Sequence, residues 1–124
     1  MTRDQQVDAS VKTEIGQSKL IDINEIIAGH SEKWFNVTLS RVNDSLVRLG
    51  VFEGEFHLHQ HENEDELFYV VSGKLLLDVP GDTIELLPGQ AYTVPRLVEH
   101  RTRAEERTVV LMVEGSTVKP TGDG

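Results

Sequence analysis

The sequence predicts an all-β domain in which short antiparallel strands form a sandwich or a barrel. From residue 35 onward, apolar and polar side chains alternate with a period of two, as Val47, Leu49 and Val51 do against their neighbours, and this spacing indicates strands. Turn residues such as Ser72-Gly73 interrupt the runs at short intervals. Strands of this length joined by tight turns favour hairpin connections and an all-β architecture.

Before the strands, residues 20–27 are predicted to form one short helix. Asp22 can cap its N-terminus, with Glu25 three residues later, and Gly29 suits its end; a plain turn is the alternative. The strands are predicted over residues 35–42, 47–52, 55–61, 67–71, 74–79, 83–87, 91–94 and 108–113. We therefore expect a flexible arm over residues 1–19, one domain over residues 20–115 and a flexible tail over residues 116–124.

The composition indicates one globular domain that does not bind polyanions. Of its 124 residues, 38% are hydrophobic and 27% are charged, a balance that supports a single core. The formal net charge of −9 would repel nucleic acid and anionic membranes, so we expect neither as a partner. The polar start does not resemble a secretory signal, which makes the cytoplasm the expected location. The absence of cysteine excludes a thiolate metal site.

Three of the five histidines, His57, His59 and His61, alternate along one predicted strand. Residues two apart in a strand share a face, so the three imidazoles would point the same way. Buried ring nitrogens without a partner would cost ~1–3 kcal/mol each, and a metal ion is the simplest shared partner. If the polar loop after His61 is a hairpin, Glu66 returns beside the histidines, and His100 follows a later turn led by Pro95.

Three imidazoles and one carboxylate form a mixed nitrogen and oxygen site. The predicted ligands are His59, His61, Glu66 and His100. They suit one divalent transition metal (iron, manganese, nickel, zinc, cobalt or copper) better than calcium or magnesium. A single His-x-His is weak evidence, so a metal-free pocket is the alternative. We expect His57 and Phe68 to line the pocket, with His57 a possible substitute ligand, and the acidic residues Glu62, Glu64 and Asp65 to form a solvated loop.

In these residues the sequence resembles the cupin superfamily. The first motif of that family is matched by Gly54, His59-Gln60-His61, Glu66 and Gly73. The second is matched by Pro95 and His100, with Leu97 in place of its glycine and Ala104 in place of its asparagine. The resemblance spans roughly residues 34–114 and is strongest to small single-domain bacterial cupins, including those labelled mannose-6-phosphate-isomerase-like. It implies a double-stranded β-helix (jelly-roll barrel), the four ligands above, and a homodimer.

The sequence leaves two functions open. One is a metalloenzyme, a dioxygenase or an isomerase, that acts on an oxygen-rich small molecule, since four protein ligands leave coordination positions for a substrate. The other is a non-catalytic module that binds or senses a small molecule through the same metal. Because one fold supports many functions, the fold does not choose between them. Neither the catalytic residues nor the native metal follow from the sequence.

Overall fold

The computed structural model describes residues 18–117 and confirms the all-β prediction. The predicted arm and tail fall mostly on residues 1–17 and 118–124, which lie outside the described residues, so both stay predictions. The described elements are α1 (Ile23–Ala28), β1 (Phe35–Val42), β2 (Ser45–Glu55), β3 (Glu66–Ser72), β4 (Leu75–Val79), β5 (Asp82–Leu86), β6 (Ala91–Val94) and β7 (Arg101–Gly115).

Helix α1 begins where its cap predicts. The Asp22 side chain accepts a hydrogen bond from the Glu25 backbone N–H at 3.1 Å, and the Gly29 N–H donates to the Ile26 carbonyl at 3.2 Å. The helix therefore starts at Ile23, three residues later than predicted, because a capping residue lies outside the helix that it caps. No helix of residues 18–117 is long and apolar enough to cross a membrane.

The strands form an antiparallel jelly-roll barrel in which β7 belongs to both sides. The main path has the order β1-β2-β7-β3-β6. The start of β7 also pairs with β4, and β4 pairs with β5. Irregular pairing lies at Phe52 and Gly54 in β2, opposite β7. Because β7 bridges the two sides, the side chains of both converge on one interior.

Two apolar clusters cover the two faces of the main sheet. The inner cluster fills the barrel and contains Phe52, Phe68, Val70, Leu75, Leu77, Leu86, Val94, Ala104, Val110 and Met112. The outer cluster contains Leu39, Leu49, Val51 and Val109, with isoleucines of α1 packed against it. Strand β2 contributes to both clusters, which explains why successive residues in its middle are buried.

Two strand predictions need correction. Residues 55–61 were expected to form one strand, but β2 ends at Glu55, and after it only the isolated bridge between His59 and His100 is a strand pairing. The predicted strand over residues 108–113 is part of a longer strand, β7. Its first half contains three exposed charged residues, at positions 105–107. They interrupt the period of two in the sequence, although Thr102 and Ala104 before them are buried at alternate positions.

Asp78 in β4 ties the start of β7 to the neighbouring strands. Its carboxylate accepts from Arg103 Nε at 2.7 Å, Arg101 Nε at 2.9 Å and Thr83 Oγ1 at 2.7 Å. The bond from Arg103, with those from Thr83 and Arg101, holds the pKa of Asp78 below its usual range despite partial burial. Since the folded pKa is the lower one, this stabilisation is present above the unfolded pKa of about 4 and is lost as the pH falls further.

We expect Asp78→Asn to lower the free energy of unfolding by roughly 1–2 kcal/mol at pH 7, because the amide loses the charge that both arginines face. The difference from the parent should shrink below about pH 4, where Asp78 of the unfolded chain begins to take up a proton while the folded carboxylate is still ionised. Urea unfolding at pH 7 and pH 3 measures both values. Glu85→Gln in β5, an exposed acid paired with Lys74 at 3.7 Å, is the control and should have little effect. A difference that is the same at both pH values would contradict this account.

Candidate metal centre

The segment after β2 carries His59 and His61 into the barrel. The backbone N–H of His59 donates to the His100 carbonyl at 3.0 Å, and the His100 N–H donates to the His59 carbonyl at 2.8 Å. The His61 carbonyl accepts from the Leu97 N–H at 2.7 Å. These three bonds join two loops that are far apart in the sequence. They fix the backbone positions from which the imidazole side chains extend.

Glu66 reaches the same place from a strand. It is the first residue of β3, between Val94 of β6 and Glu114 of β7. The hairpin expected between the histidine segment and β3 is wrong, because β3 pairs with β6 and β7 instead. Glu66 therefore meets the histidines across the barrel interior rather than along a shared ladder.

The four predicted ligands converge. One ligand atom from each of His59, His61, Glu66 and His100 can be chosen so that all lie within 4.8 Å of one another. Glu66 Oε1 lies 3.1 Å from His100 Nε2 and 3.5 Å from His61 Nε2. Opposite ligands on metal bonds of about 2.1 Å would lie about 4.2 Å apart, so a small contraction would complete a coordination sphere. All four side chains belong to buried residues, with His59 the most exposed at 8%.

The hydrogen bonds of two imidazoles orient them for a cation. His59 Nδ1 lies 3.0 Å from the His57 carbonyl, and His100 Nδ1 lies 3.0 Å from the Val98 carbonyl. A carbonyl only accepts, so each Nδ1 carries a hydrogen, and Nε2 of each ring is left for the cluster. His100 Nε2 then faces a carboxylate oxygen of Glu66 at 3.1 Å, and a proton or a metal ion between the two atoms satisfies this contact. Metal-binding histidines are held in this way in other proteins, so the residues present fit a metal.

Burial and neighbouring charges set the protonation of the site. Burial lowers the pKa of His59 to about 4. The hydrogen bond to the His57 carbonyl acts in the opposite direction, and the nearby His100 adds to the lowering. Burial alone would raise the pKa of Glu66, but hydrogen bonds with His100 and His61 and the contact with Glu114 hold it below its usual range. A neutral imidazole and an ionised carboxylate are the forms that bind metals.

The structure separates the other predicted site residues. His57 is exposed, and its ring packs on Phe56 with the centroids 4.2 Å apart. Phe68 is 2% exposed, and its ring lies edge-on to His100 at a centroid distance of 6.0 Å. Phe68 thus forms an apolar wall of the cluster, whereas His57 contributes its carbonyl to the orientation of His59.

One expectation about the acidic loop is wrong. Glu64 is 6% exposed rather than solvated, and its carboxylate accepts a hydrogen bond from the Thr117 hydroxyl. Asp65 accepts from the backbone N–H of Arg96 at 2.9 Å. These residues fasten the loop before β3 to the turn that follows β7 and to the turn that precedes His100.

Sequence reasoning missed two charged residues beside the cluster. Arg48 in β2 is 1% exposed and Glu114 in β7 is 2% exposed. Arg48 Nη1 lies 2.9 Å from Glu114 Oε1. Burial and the adjacent Glu66 outweigh Arg48 and raise the pKa of Glu114 well above its usual value. Arg48 lies two residues from Leu46 and from Gly50, and residues two apart in a strand share a face. A charged residue at such an inward position was the signal available in the sequence.

The turn before His100 keeps the shape of a glycine turn without a glycine. Leu97 has a φ of 69°, in the left-handed region that glycine adopts freely. Its side chain is 58% exposed, so it gains little from burial. The backbone N–H of Leu97 donates to the His61 carbonyl in this turn, so Leu97 takes the conformation that glycine would adopt at this position of the second motif.

We expect Leu97→Gly to raise the free energy of unfolding by about 0.5–1 kcal/mol, because glycine removes the strain at positive φ. The neighbouring variant Arg96→Gly should have the opposite sign, since Arg96 is not at positive φ and glycine only adds freedom to the unfolded chain. Chemical denaturation of both variants measures the two changes. Equal destabilisation by both would show that Leu97 is not strained.

Comparisons with known proteins agree with this fold. A family model described as the cupin domain matches residues 45–114. The uncharacterized protein YdbB of Bacillus subtilis (strain 168) is 42% identical over 98 residues, which cover 78% of this chain and 87% of that protein. A cupin-2 domain containing protein from Shewanella frigidimarina NCIMB 400 has a TM-score of 0.75 at 31% identity, over 79% of this chain and 96% of that one. Protein NMB1881 from Neisseria meningitidis, with a TM-score of 0.71 at 24% identity over 79% of this chain and 100% of its own, shares the fold.

Proposed function

Since the chain belongs to the cupin family, we propose that it is a metalloenzyme that acts on an oxygen-rich small molecule, as an oxygenase or an isomerase. Its four buried ligands would hold one divalent transition metal. The observation that carries the proposal is the contact between His100 Nε2 and Glu66 Oε1 at 3.1 Å. The backbone bond at His100 Nδ1 directs that Nε2 at the carboxylate, and the 3.1 Å separation suits two neighbouring ligands of one metal ion.

The donor set limits the choice of metal. Three imidazole nitrogens and one carboxylate oxygen favour iron, manganese, nickel, zinc, cobalt or copper over the hard cations calcium and magnesium. A bound ion would supply Lewis acidity to oxygen atoms of a substrate, since a metal with four protein ligands can accept one or two more.

The chain itself supplies the surroundings of the reaction. Phe68 and Phe56 place aromatic edges against His100 and His59, at centroid distances of 6.0 and 5.3 Å. Such walls exclude water and strengthen electrostatic interactions inside the site. His57 lies outside the cluster with its ring centroid 5.2 Å from that of His59, and we propose it as a proton-transfer group because it is exposed and adjacent.

Elemental analysis of untagged protein, produced without added metal, tests the metal site. We expect close to one transition-metal ion per chain. Protein loaded with iron, manganese or nickel is then incubated with diols, keto acids and sugar phosphates, and products are followed by NMR. A parent protein that retains none of the six ions after dialysis would overturn the metal site. Metal retention without turnover would favour the second candidate.

The second candidate is a non-catalytic module that binds or senses a small molecule through the metal. It would use the same buried cluster, in which His61 and His100 are only 2% and 1% exposed. Calorimetry that detects tight binding of a panel compound without any chemical change would support this function. Product formation would exclude it.

The expected homodimer and location are proposals as well. The outer face of the main sheet supports a dimer, because Tyr69 is 38% exposed and half-buried apolar residues such as Leu67 and Leu111 lie on the same face. Light scattering coupled to size exclusion would measure the mass directly. A cytoplasmic location, the absence of nucleic-acid and membrane partners, and the likeness to mannose-6-phosphate-isomerase-like cupins stay predictions.

A further inference from the structure

Behind Glu66, two more charged side chains lie inside the barrel. Arg48 and Glu114 come from neighbouring strands 66 residues apart in the sequence, and Arg48 Nη1 lies 2.9 Å from Glu114 Oε1. Their side chains are 2% and 0% exposed. An arginine side chain is almost never fully buried unless it is paired with an acidic group.

Glu114 connects this pair to the metal cluster. Glu66 and Glu114 are direct partners in the β3–β7 ladder, so their side chains leave the sheet side by side. The two carboxyl groups interact, and Glu66 Oε1 faces His100 Nε2 at 3.1 Å and His61 Nε2 at 3.5 Å. Arg48, Glu114 and Glu66 thus lie in a row that leads to the imidazoles, and Glu114 Oε2 is buried without a hydrogen-bond partner among residues 18–117.

We propose that Arg48 and Glu114 are positioning residues, which hold the Glu66 carboxylate in the orientation that metal binding needs. The inference rests on the proposed metal site. A glutamate has three rotatable side-chain bonds, and the ladder fixes only its backbone. Arg48 anchors Glu114 by a charge-assisted hydrogen bond, and Glu114, the ladder partner of Glu66, limits the positions open to the Glu66 carboxylate. Partners behind a metal ligand commonly set its orientation and its basicity.

Stability alone does not explain the pair. Buried charged pairs are often replaced by apolar residues of similar volume without loss of stability. Arg48 also has two further nitrogens, Nε and Nη2, that are buried without a hydrogen-bond partner among residues 18–117. Such groups are costly to bury. Apolar side chains of similar volume would therefore stabilise the fold about as well as this pair does.

The double variant Arg48→Met/Glu114→Leu separates the two roles. We expect it to fold with a stability close to that of the parent, but to bind Co²⁺ about 10- to 100-fold more weakly. The visible absorption spectrum of its Co²⁺ form should also change, because the orientation of the carboxylate is altered. Competition with a chelating dye measures the affinity.

Three further variants complete the experiment. Glu114→Gln should retain the parent affinity and spectrum, since its amide can accept from Arg48 and donate to Glu66. Arg48→Lys keeps the charge but lacks the planar guanidinium, and it should weaken Co²⁺ binding and shift the spectrum. Leu49→Val lowers stability from the outer cluster, and it should leave Co²⁺ binding unchanged.

Parent affinity and parent spectrum in the folded double variant would overturn the proposal. Should the double variant not fold, the same result for Arg48→Lys would overturn it. Failure of the metal site itself is seen separately, as a parent protein that binds no Co²⁺.

Discussion

Replacing His100 by alanine is expected to abolish retention of a transition metal. His100 supplies one of four ligands, and its Nε2 is the nitrogen closest to Glu66 Oε1, at 3.1 Å. Its backbone also forms both hydrogen bonds of the bridge to His59. We therefore expect a loss in affinity greater than the roughly 10- to 100-fold that follows removal of a partner behind a ligand. Metal content after dialysis and titration with Ni²⁺ measure the loss.

His57→Ala is the matched control for this experiment. His57 lies in the same segment as His59, but its ring is exposed and is not among the four clustered side chains. The carbonyl that accepts from His59 Nδ1 remains in the variant, so Ni²⁺ affinity should stay near the parent value. If His57→Ala lost as much affinity as His100→Ala, the ligand set would be wrong. His100→Gln, which keeps more of the buried volume, shows whether loss of metal follows from loss of the fold.

Much of the fold was predictable because most of these strands bury one face more than the other. In β3 and β4 the period of two is clean, and the turns at Gly73 and Gly81 bound them closely. The segment 56–61 misled the prediction because His57, His59 and His61 imitate a strand face. Only His59 makes a strand-like bridge there, and the imidazoles are brought together by backbone bonds to distant residues.

The partners of the site were less predictable than its ligands. His59, His61, Glu66 and His100 stand out because such residues are unusual at inward positions of a strand or a buried turn. Arg48 and Glu114 occupy inward positions too, but each alone resembles an ordinary surface charge. Their relation to Glu66 depends on the order of β2, β7 and β3 in the sheet, which strand periodicity does not specify.

The second large effect concerns Gly73, at the turn between β3 and β4. Its φ is 85°, and a Cβ built there would lie 2.5 Å from Thr108 Oγ1, 2.8 Å from Thr108 Cα and 2.9 Å from the Arg107 carbonyl oxygen. Two of these atoms belong to the backbone of β7, so no change of rotamer relieves the overlap. The hydrogen bonds between Lys74 and the Thr108 hydroxyl, both 3.1 Å long, would be displaced with it.

We expect Gly73→Ala to lower the free energy of unfolding by about 3–5 kcal/mol, since overpacking adds to the cost of a left-handed conformation. The control Gly81→Ala has a similar φ of 76° but meets nothing within 4 Å, so it should cost only about 1–2 kcal/mol. The difference between the two variants, measured by urea unfolding, isolates the contact with β7 from the backbone conformation. Similar losses in both would mean that β7 moves away at little cost, and that the turn is not tightly packed against it.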